Sequence, residues 1–218
     1  MKTRLFKTAH CVLTGLLIIP TFISAQELKP ITLLKPQTDG GRPLMQVLKE
    51  RTSSRAFSDE KLPVQVLSNM LWAAFGINRP ESGKRTAPSS MNRQEIDIYV
   101  SSADGLYLYE AKTHTLEPVL GKDIRAMTGT QPYVQEASVN LVFVADFSKM
   151  GGAEEGQKLI TSAANTGFIS QNVYLYCASE GLATVVRGSI DKPTLEKAMG
   201  LRPDQKVILA QSVGYPKK

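Results

Sequence analysis

The sequence predicts an α+β domain with a central, mainly antiparallel sheet flanked by helices, one of them long, central and buried. Three observations lead there. Strand-like segments gather near the middle and the end of the chain, with helices between them. Their alternation with helices is too irregular for a doubly wound parallel sheet. No Gly-x-Gly-x-x-Gly follows a strand, so a Rossmann nucleotide site is unsupported.

Taken in order, residues 26–43 carry Pro30, Pro36, Gly40, Gly41 and Pro43 without sustained periodicity, and read as an extended arm. Pro43 then opens a short amphipathic helix through Leu44, Met45, Val47 and Leu48 that ends near Arg51. Pro63 starts a second helix whose apolar face is Val64, Val66, Leu67, Met70, Leu71 and Ala74, closed by Gly76. Residues 78–93 are polar and interrupted by Pro80, Gly83 and Pro88, and are expected to be a loop. Ile96, Ile98 and Val100 alternate with Asp97 and Tyr99, the period of a strand. The turn Ala103-Asp-Gly105 leads to a returning strand at Leu106–Tyr109, and 116–120 adds a third. Val139–Val144 is almost continuously apolar, as expected of a central strand. Residues 154–180 form the longest helix, apolar over much of its circumference. A strand at 184–186, a short helix at 192–199 closed by Gly200, and a last strand at 207–213 complete the chain.

The first 25 residues stand apart. Lys2, Arg4 and Lys7 precede an apolar run from Cys11 to Ile23, and Ser24-Ala25 offers a small-residue cleavage site before Gln26. This predicts a signal peptide at 1–25, an extended arm at 26–43 and one domain at 44–218, with periplasmic or secreted localisation. No stable membrane insertion is expected after cleavage, since the run is short of the roughly 20 apolar residues a spanning helix needs. The formal charge falls from +6 to +3 once the three leader cations are removed. That mild excess, with no basic run interleaved with aromatics, argues against a nucleic-acid partner. Cys177 is the one cysteine beyond the leader, and its neighbours Tyr174, Leu175 and Tyr176 favour a buried, inert thiol. No metal site is expected, and His114 is expected at the surface of the hairpin.

Three polar segments could carry chemistry. Arg51, Thr52, Ser53 and Arg55 place two guanidinium groups beside hydroxyls, a donor set suited to a phosphate monoester. Taken alone, the same cluster also reads as a polar helix exit whose hydroxyls cap backbone groups. Ser89, Ser90, Asn92 and Gln94 put amides and hydroxyls just before a strand. Asn92 can present donor and acceptor together to an amide-like ring edge, or the segment is an ordinary polar loop. Glu180-Gly181 ends the long helix; Gly181 either stops the helix or lets backbone donors approach a planar ligand.

Together these segments resemble the FMN-dependent nitroreductase family. Arg51-Thr-Ser-Ser-Arg-Ala-Phe57 looks like its Arg-x-Ser-x-Arg-x-Phe opening, and Pro88-Ser-Ser-Met-Asn-Arg-Gln94 like its Pro-Ser-x-x-Asn-x-Gln motif. Gly167–Asn172 with Ala178–Leu182 resembles its central helix and exit, and Gly188 and Val213–Pro216 complete the pattern over residues 43–218. The resemblance implies a nitroreductase-like fold and noncovalent FMN, held by Arg51, Thr52 and Ser53 on the phosphate side and Arg55 nearer the ring edge. It further implies Ser89, Ser90, Asn92 and Gln94 at the isoalloxazine, the backbone of Glu180 and Gly181 near N5, and Lys217 as an added phosphate contact. A homodimer with FMN at the interface is implied as well, acting on a small-molecule substrate.

The chemistry would lie on the flavin, with no side chain marked as catalytic. Glu95-Ile96 stands where the family commonly has Pro-Trp, and the hairpin 104–119 looks closer to the branch of thiazoline and oxazoline dehydrogenases. The implied activity is an exported oxidoreductase with ping-pong hydride or electron transfer. Outside the cytoplasm no NAD(P)H pool is expected, so another donor, or substrate dehydrogenation, is required. The competing reading is a flavin- or ligand-binding protein of the same fold without turnover.

Overall fold

A computed structural model describes residues 28–218, and the leader expected at 1–25 lies outside the described residues. The elements are β1 (Ile31–Thr32), α1 (Leu44–Glu50), α2 (Val64–Phe75), β2 (Ile77–Arg79), β3 (Lys84–Arg85), β4 (Ile96–Ser102) and β5 (Gly105–Glu110). They continue with β6 (Thr115–Leu120), β7 (Val139–Asp146), α3 (Glu155–Glu180), β8 (Ala183–Arg187), α4 (Lys192–Met199) and β9 (Gln205–Gly214). Seven strands form one sheet in the order β1-β6-β5-β4-β7-β9-β8, every neighbouring pair antiparallel.

β7 explains the architecture. All eight of its residues are buried. Leu141, Phe143 and Ala145 face one core with Met70, Leu71, Ala74 and Phe75 of α2 and Ile169, Val173 and Cys177 of α3. Val142 and Val144 face a second core with Leu195 and Met199 of α4. A strand covered on both faces has no position left for a polar residue to reach water, which is why its sequence runs apolar without alternation. Truncating Phe143, fully buried, is expected to cost about 3–5 kcal/mol.

The helices end where the sequence says. Gly76 terminates α2, and Gly181 and Gly200 take left-handed backbone angles (φ 71° and 66°) after α3 and α4. Two expectations change. Residues 78–93 are not simply a loop: β2 and β3 pair as a two-stranded ribbon around a Gly83 turn, and Ser90–Asn92 forms a single 3₁₀ turn. A ribbon this short leaves almost no hydrophobic period to read. Within the arm, Ile31–Thr32 adds the edge strand β1 against β6.

α3 divides its apolar circumference. Ser162, Asn165, Thr166, Ile169, Ser170, Val173, Tyr174 and Cys177 are buried, whereas Leu159, Ile160 and Phe168 are exposed. Leu44, Met45 and Leu48 of α1 are exposed too, leaving Val47 as the buried contact of that helix.

Candidate functional site

The segment from Arg51 to Phe57 lies where α1 ends against α3 and β8. The Arg51 N–H donates to Val47 O at 2.8 Å, and its guanidinium sits over the Tyr174 ring, 5.4 Å from the centroid. The Ser53 hydroxyl is 2.8 Å from the Tyr174 hydroxyl, which also accepts the Val186 N–H at 2.9 Å. Ser54 N–H donates to Thr184 O at 2.9 Å, and buried Phe57 bridges to Pro216. That bridge brings the C-terminus alongside: Ser58 N–H donates to Tyr215 O at 2.9 Å and Lys217 N–H to Ala56 O at 3.2 Å.

Thr52, Ser53, Arg55 and Lys217 are exposed, and Arg51 is half-buried. Among the described residues neither Arg51, Arg55 nor Lys217 forms an ion pair. Arg51 and Arg55 thus flank the Thr52 and Ser53 hydroxyls without an ion-pair partner, a donor set suited to an anion, whereas Lys217, joined to Ala56 through its backbone, borders a cavity that also holds Asp59, Asp104 and Glu136.

The second segment lies elsewhere. Met91, Asn92 and Gln94 all have positive φ (54°, 52° and 49°), unusual for residues with a Cβ. The turn is held from several sides. Asn165 of α3 accepts the Ser90 N–H through Oδ1 at 3.3 Å and donates from Nδ2 to Glu95 Oε1 at 2.7 Å. The Ser89 hydroxyl accepts the Gln94 N–H at 3.0 Å. The Gln94 side chain donates to Gly83 O at 3.1 Å and to Asn92 Oδ1 at 3.2 Å, and accepts Arg85 Nε at 2.8 Å. Asn92 and Ser90 face solvent.

At the third segment, the N–H groups of Gly181 and Leu182 both donate to Cys177 O, closing the helix. The donors expected there are engaged within the chain, and the glycine's immediate structural task is the left-handed cap. Glu180 instead borders a cavity of about 460 Å³ between α1, α2, α3 and the arm at 37–42. Arg42 fixes that arm, its N–H donating to Ser179 Oγ at 2.9 Å and its guanidinium to Ala178 O at 3.3 Å. The Cys177 thiol below is fully buried, and burial pushes its pKa well above the ordinary range, in keeping with an inert role.

The structure therefore holds Arg51, Thr52, Ser53 and Arg55 on one segment, with the Lys217 backbone joined to Ala56 beside it, and Ser89, Ser90, Asn92 and Gln94 in a separate turn. It does not bring the two groups together within one chain. Their anchors on α3, Tyr174 and Asn165, are nine residues apart, about 13 Å along the axis and half a turn around it. Tyr174, Asn165, Glu95 and Arg85 escaped the sequence reading, because each acts by touching a segment distant in sequence.

His114 is a correction. It is half-buried, not at the surface, with Nε2 2.7 Å from the Ser68 hydroxyl and Nδ1 3.0 Å from the Tyr109 hydroxyl. Burial lowers its pKa below the ordinary value.

Comparison with known proteins identifies the family. A candidate nitroreductase of Ralstonia eutropha JMP134 superposes with a TM-score of 0.84 at 41% identity, covering 94% of this chain and 97% of its own. A candidate nitroreductase of Methanocaldococcus jannaschii is 28% identical over 156 residues, 67% of this chain and 78% of that protein. A candidate nitroreductase of Desulfovibrio desulfuricans, solved in complex with FMN, shares the fold at 24% identity and a TM-score of 0.60, over 82% of this chain and 89% of its own. The sequence model of the nitroreductase family matches residues 48–215, and the chain belongs to that family of flavin-dependent oxidoreductases.

Proposed function

We propose that this protein is an exported, FMN-dependent oxidoreductase that works as a homodimer on a small substrate. The observation that supports the reading is the segment that sets Arg51 and Arg55 beside the Thr52 and Ser53 hydroxyls, neither arginine having an ion-pair partner among the described residues, with the Lys217 backbone joined to Ala56. A phosphate monoester fits that donor set in charge and in hydrogen-bonding capacity. Tyr174 positions it, stacking under Arg51 and orienting Ser53.

Asn92, with Ser89, Ser90 and Gln94 around it, offers the complementary amide edge for the ring, and strained backbone at that turn is of the kind functional sites hold. Glu180 and Gly181 would border the ring through the helix end. FMN, when bound, supplies the hydride and electron chemistry. The chain's residues bind and orient it, and the substrate alternates with the electron donor in a ping-pong cycle.

The dimer is favoured by the separation of the two residue groups. A second copy would supply the turn at 89–94 to the phosphate-side residues of the first. The exposed apolar residues Leu44, Met45, Leu48, Ile160, Phe168 and Met91 lie on the elements that carry those groups. Where such side chains adjoin on one face, a working assembly covers them. Export is supported by the basic start, apolar run and Ser24-Ala25 of the first 25 residues.

The test is the visible absorbance and oligomeric state of purified residues 26–218, with cofactor released by heat and identified by chromatography. FMN near one per subunit in a dimer is expected, and Arg51→Ala with Arg55→Ala should lose it while staying folded. A folded chain that neither carries nor takes up FMN would overturn the reading. Flavin that no donor reduces would leave a binding protein without turnover.

A further inference from the structure

On the far side of the Ser89–Gln94 turn, a cavity of about 670 Å³ opens between the arm, the end of α2, the β2–β3 ribbon and the β5–β6 turn. Leu33, Pro36, Trp72 and Ile77 give it apolar walls. The Trp72 indole is held in place by its Nε1–H bond to Ile77 O at 3.1 Å. Its charged lining is entirely basic: Lys35, Arg85 and Lys112, with half-buried His114 beside them. Among the described residues none of these three cations forms an ion pair. The carboxylates whose field reaches Arg85, Asp97 and Glu110, line an adjoining cavity that Arg85 and Lys112 also border, and Glu110 accepts the Lys112 backbone N–H at 2.9 Å.

Arg85 is half-buried and fixed, donating to Gln94 Oε1 at 2.8 Å and to Phe75 O at 3.0 Å, with its guanidinium 4.8 Å from the Phe75 ring centre. Volumes of this size suit a small organic ligand, and apolar walls with a few convergent polar groups are how such ligands are held. An apolar body can lie against Trp72 while an anionic head meets Lys35, Lys112 and Arg85. Guanidinium and ammonium groups recognise carboxylates through charge-assisted hydrogen bonds, more strongly where water is partly excluded.

We propose that this cavity, which shares Gln94 with the 89–94 turn, is a second ligand site apart from the phosphate-side cluster at Arg51, and that it takes a small amphipathic carboxylate with a planar or aliphatic body. The proposal does not depend on which cofactor the protein carries.

The test is titration of the purified protein, as isolated with whatever cofactor it retains, with 2-naphthoate and with uncharged 2-naphthylmethanol, by calorimetry and tryptophan fluorescence. Trp72 is the only tryptophan of the chain and borders both this cavity and the one beside Glu180, so its quenching is assigned to this site only where the lysine variants change it. Saturable binding of 2-naphthoate, about tenfold tighter than its uncharged analogue, is expected. Lys35→Ala with Lys112→Ala should abolish that preference while flavin content and melting temperature stay unchanged, since both lysines are exposed. Lys35→Glu with Lys112→Glu should lower carboxylate affinity further. Absence of saturable binding, equal affinity for the two probes, or 2-naphthoate binding unaltered in both double variants would each overturn the assignment. A protein that binds 2-naphthoate yet carries no FMN would refute the flavin reading and leave this one standing.

Discussion

Asn165 donates to Glu95 at 2.7 Å, and through its other amide atom accepts the Ser90 N–H at 3.3 Å. One buried side chain on α3 thus ties a fully buried carboxyl to the backbone of the turn that presents Asn92. The bond matters energetically because, among the described residues, Glu95 Oε2 has no partner and Asn165 is the one side chain that bonds the Glu95 carboxyl, so removing it leaves a desolvated group with nothing in exchange.

Asn165→Leu is therefore expected to lower stability by about 1–3 kcal/mol in urea denaturation, more than its volume change accounts for. Glu95→Gln keeps an acceptor for Asn165 and should lose much less. If the two variants lose the same amount, the bond is not what holds the turn.

Tyr174→Phe should separate support from contact at the phosphate side. The ring under Arg51 remains, but the hydroxyl that orients Ser53 and accepts the Val186 N–H is gone. A stability loss of about 1–2 kcal/mol is expected. FMN dissociation, followed by flavin fluorescence, should become severalfold faster, while Arg51→Lys, which loses the planar stack, should show the same flavin defect with little change in stability.

Acid should destabilise the protein through His114. Its folded-state pKa lies below the ordinary 6.5, so the folded chain holds the neutral ring while the unfolded chain takes up a proton. The stability this represents is present above about pH 6.5 and declines as pH falls from there through the folded-state value. Urea midpoints measured from pH 7.5 to 5.0 should fall less steeply in His114→Gln. An unchanged slope would mean that the ring between Ser68 and Tyr109 accepts the proton freely.

Gly129 holds space for a buried cation. Arg187, 6% exposed, donates to Thr128, Asn140 and Ser212, all neutral. A Cβ at position 129 would stand 2.4 Å from its Nε and 2.8 Å from Gln131 Oε1. Gly129→Ala is expected to cost about 1–3 kcal/mol in thermal melts. Gly188→Ala is the control: its Cβ meets nothing closer than 3.5 Å and should change stability by less than about 0.5 kcal/mol.

The legible parts of this protein are those fixed by neighbours in sequence. The long helix, the buried β7 run and the caps at Gly181 and Gly200 follow from periodicity and from the left-handed angle that glycine accepts. The β2–β3 ribbon was hidden because two- and three-residue strands carry no period, and the partners of His114 because Ser68 lies on another element.

By itself the sequence determined the class of fold, the family, and the residue types able to meet a phosphate and an amide edge, since these depend on local pattern and side-chain chemistry. Only the tertiary structure decided which groups meet. It joined the Lys217 backbone to Ala56 through the Phe57–Pro216 bridge, and it held the 89–94 turn on another face of α3 from the Arg51 segment. The physical reason is that spacing sets Asn165 and Tyr174 on opposite faces of α3, but which distant segment each face meets is set by how the sheet and α3 pack.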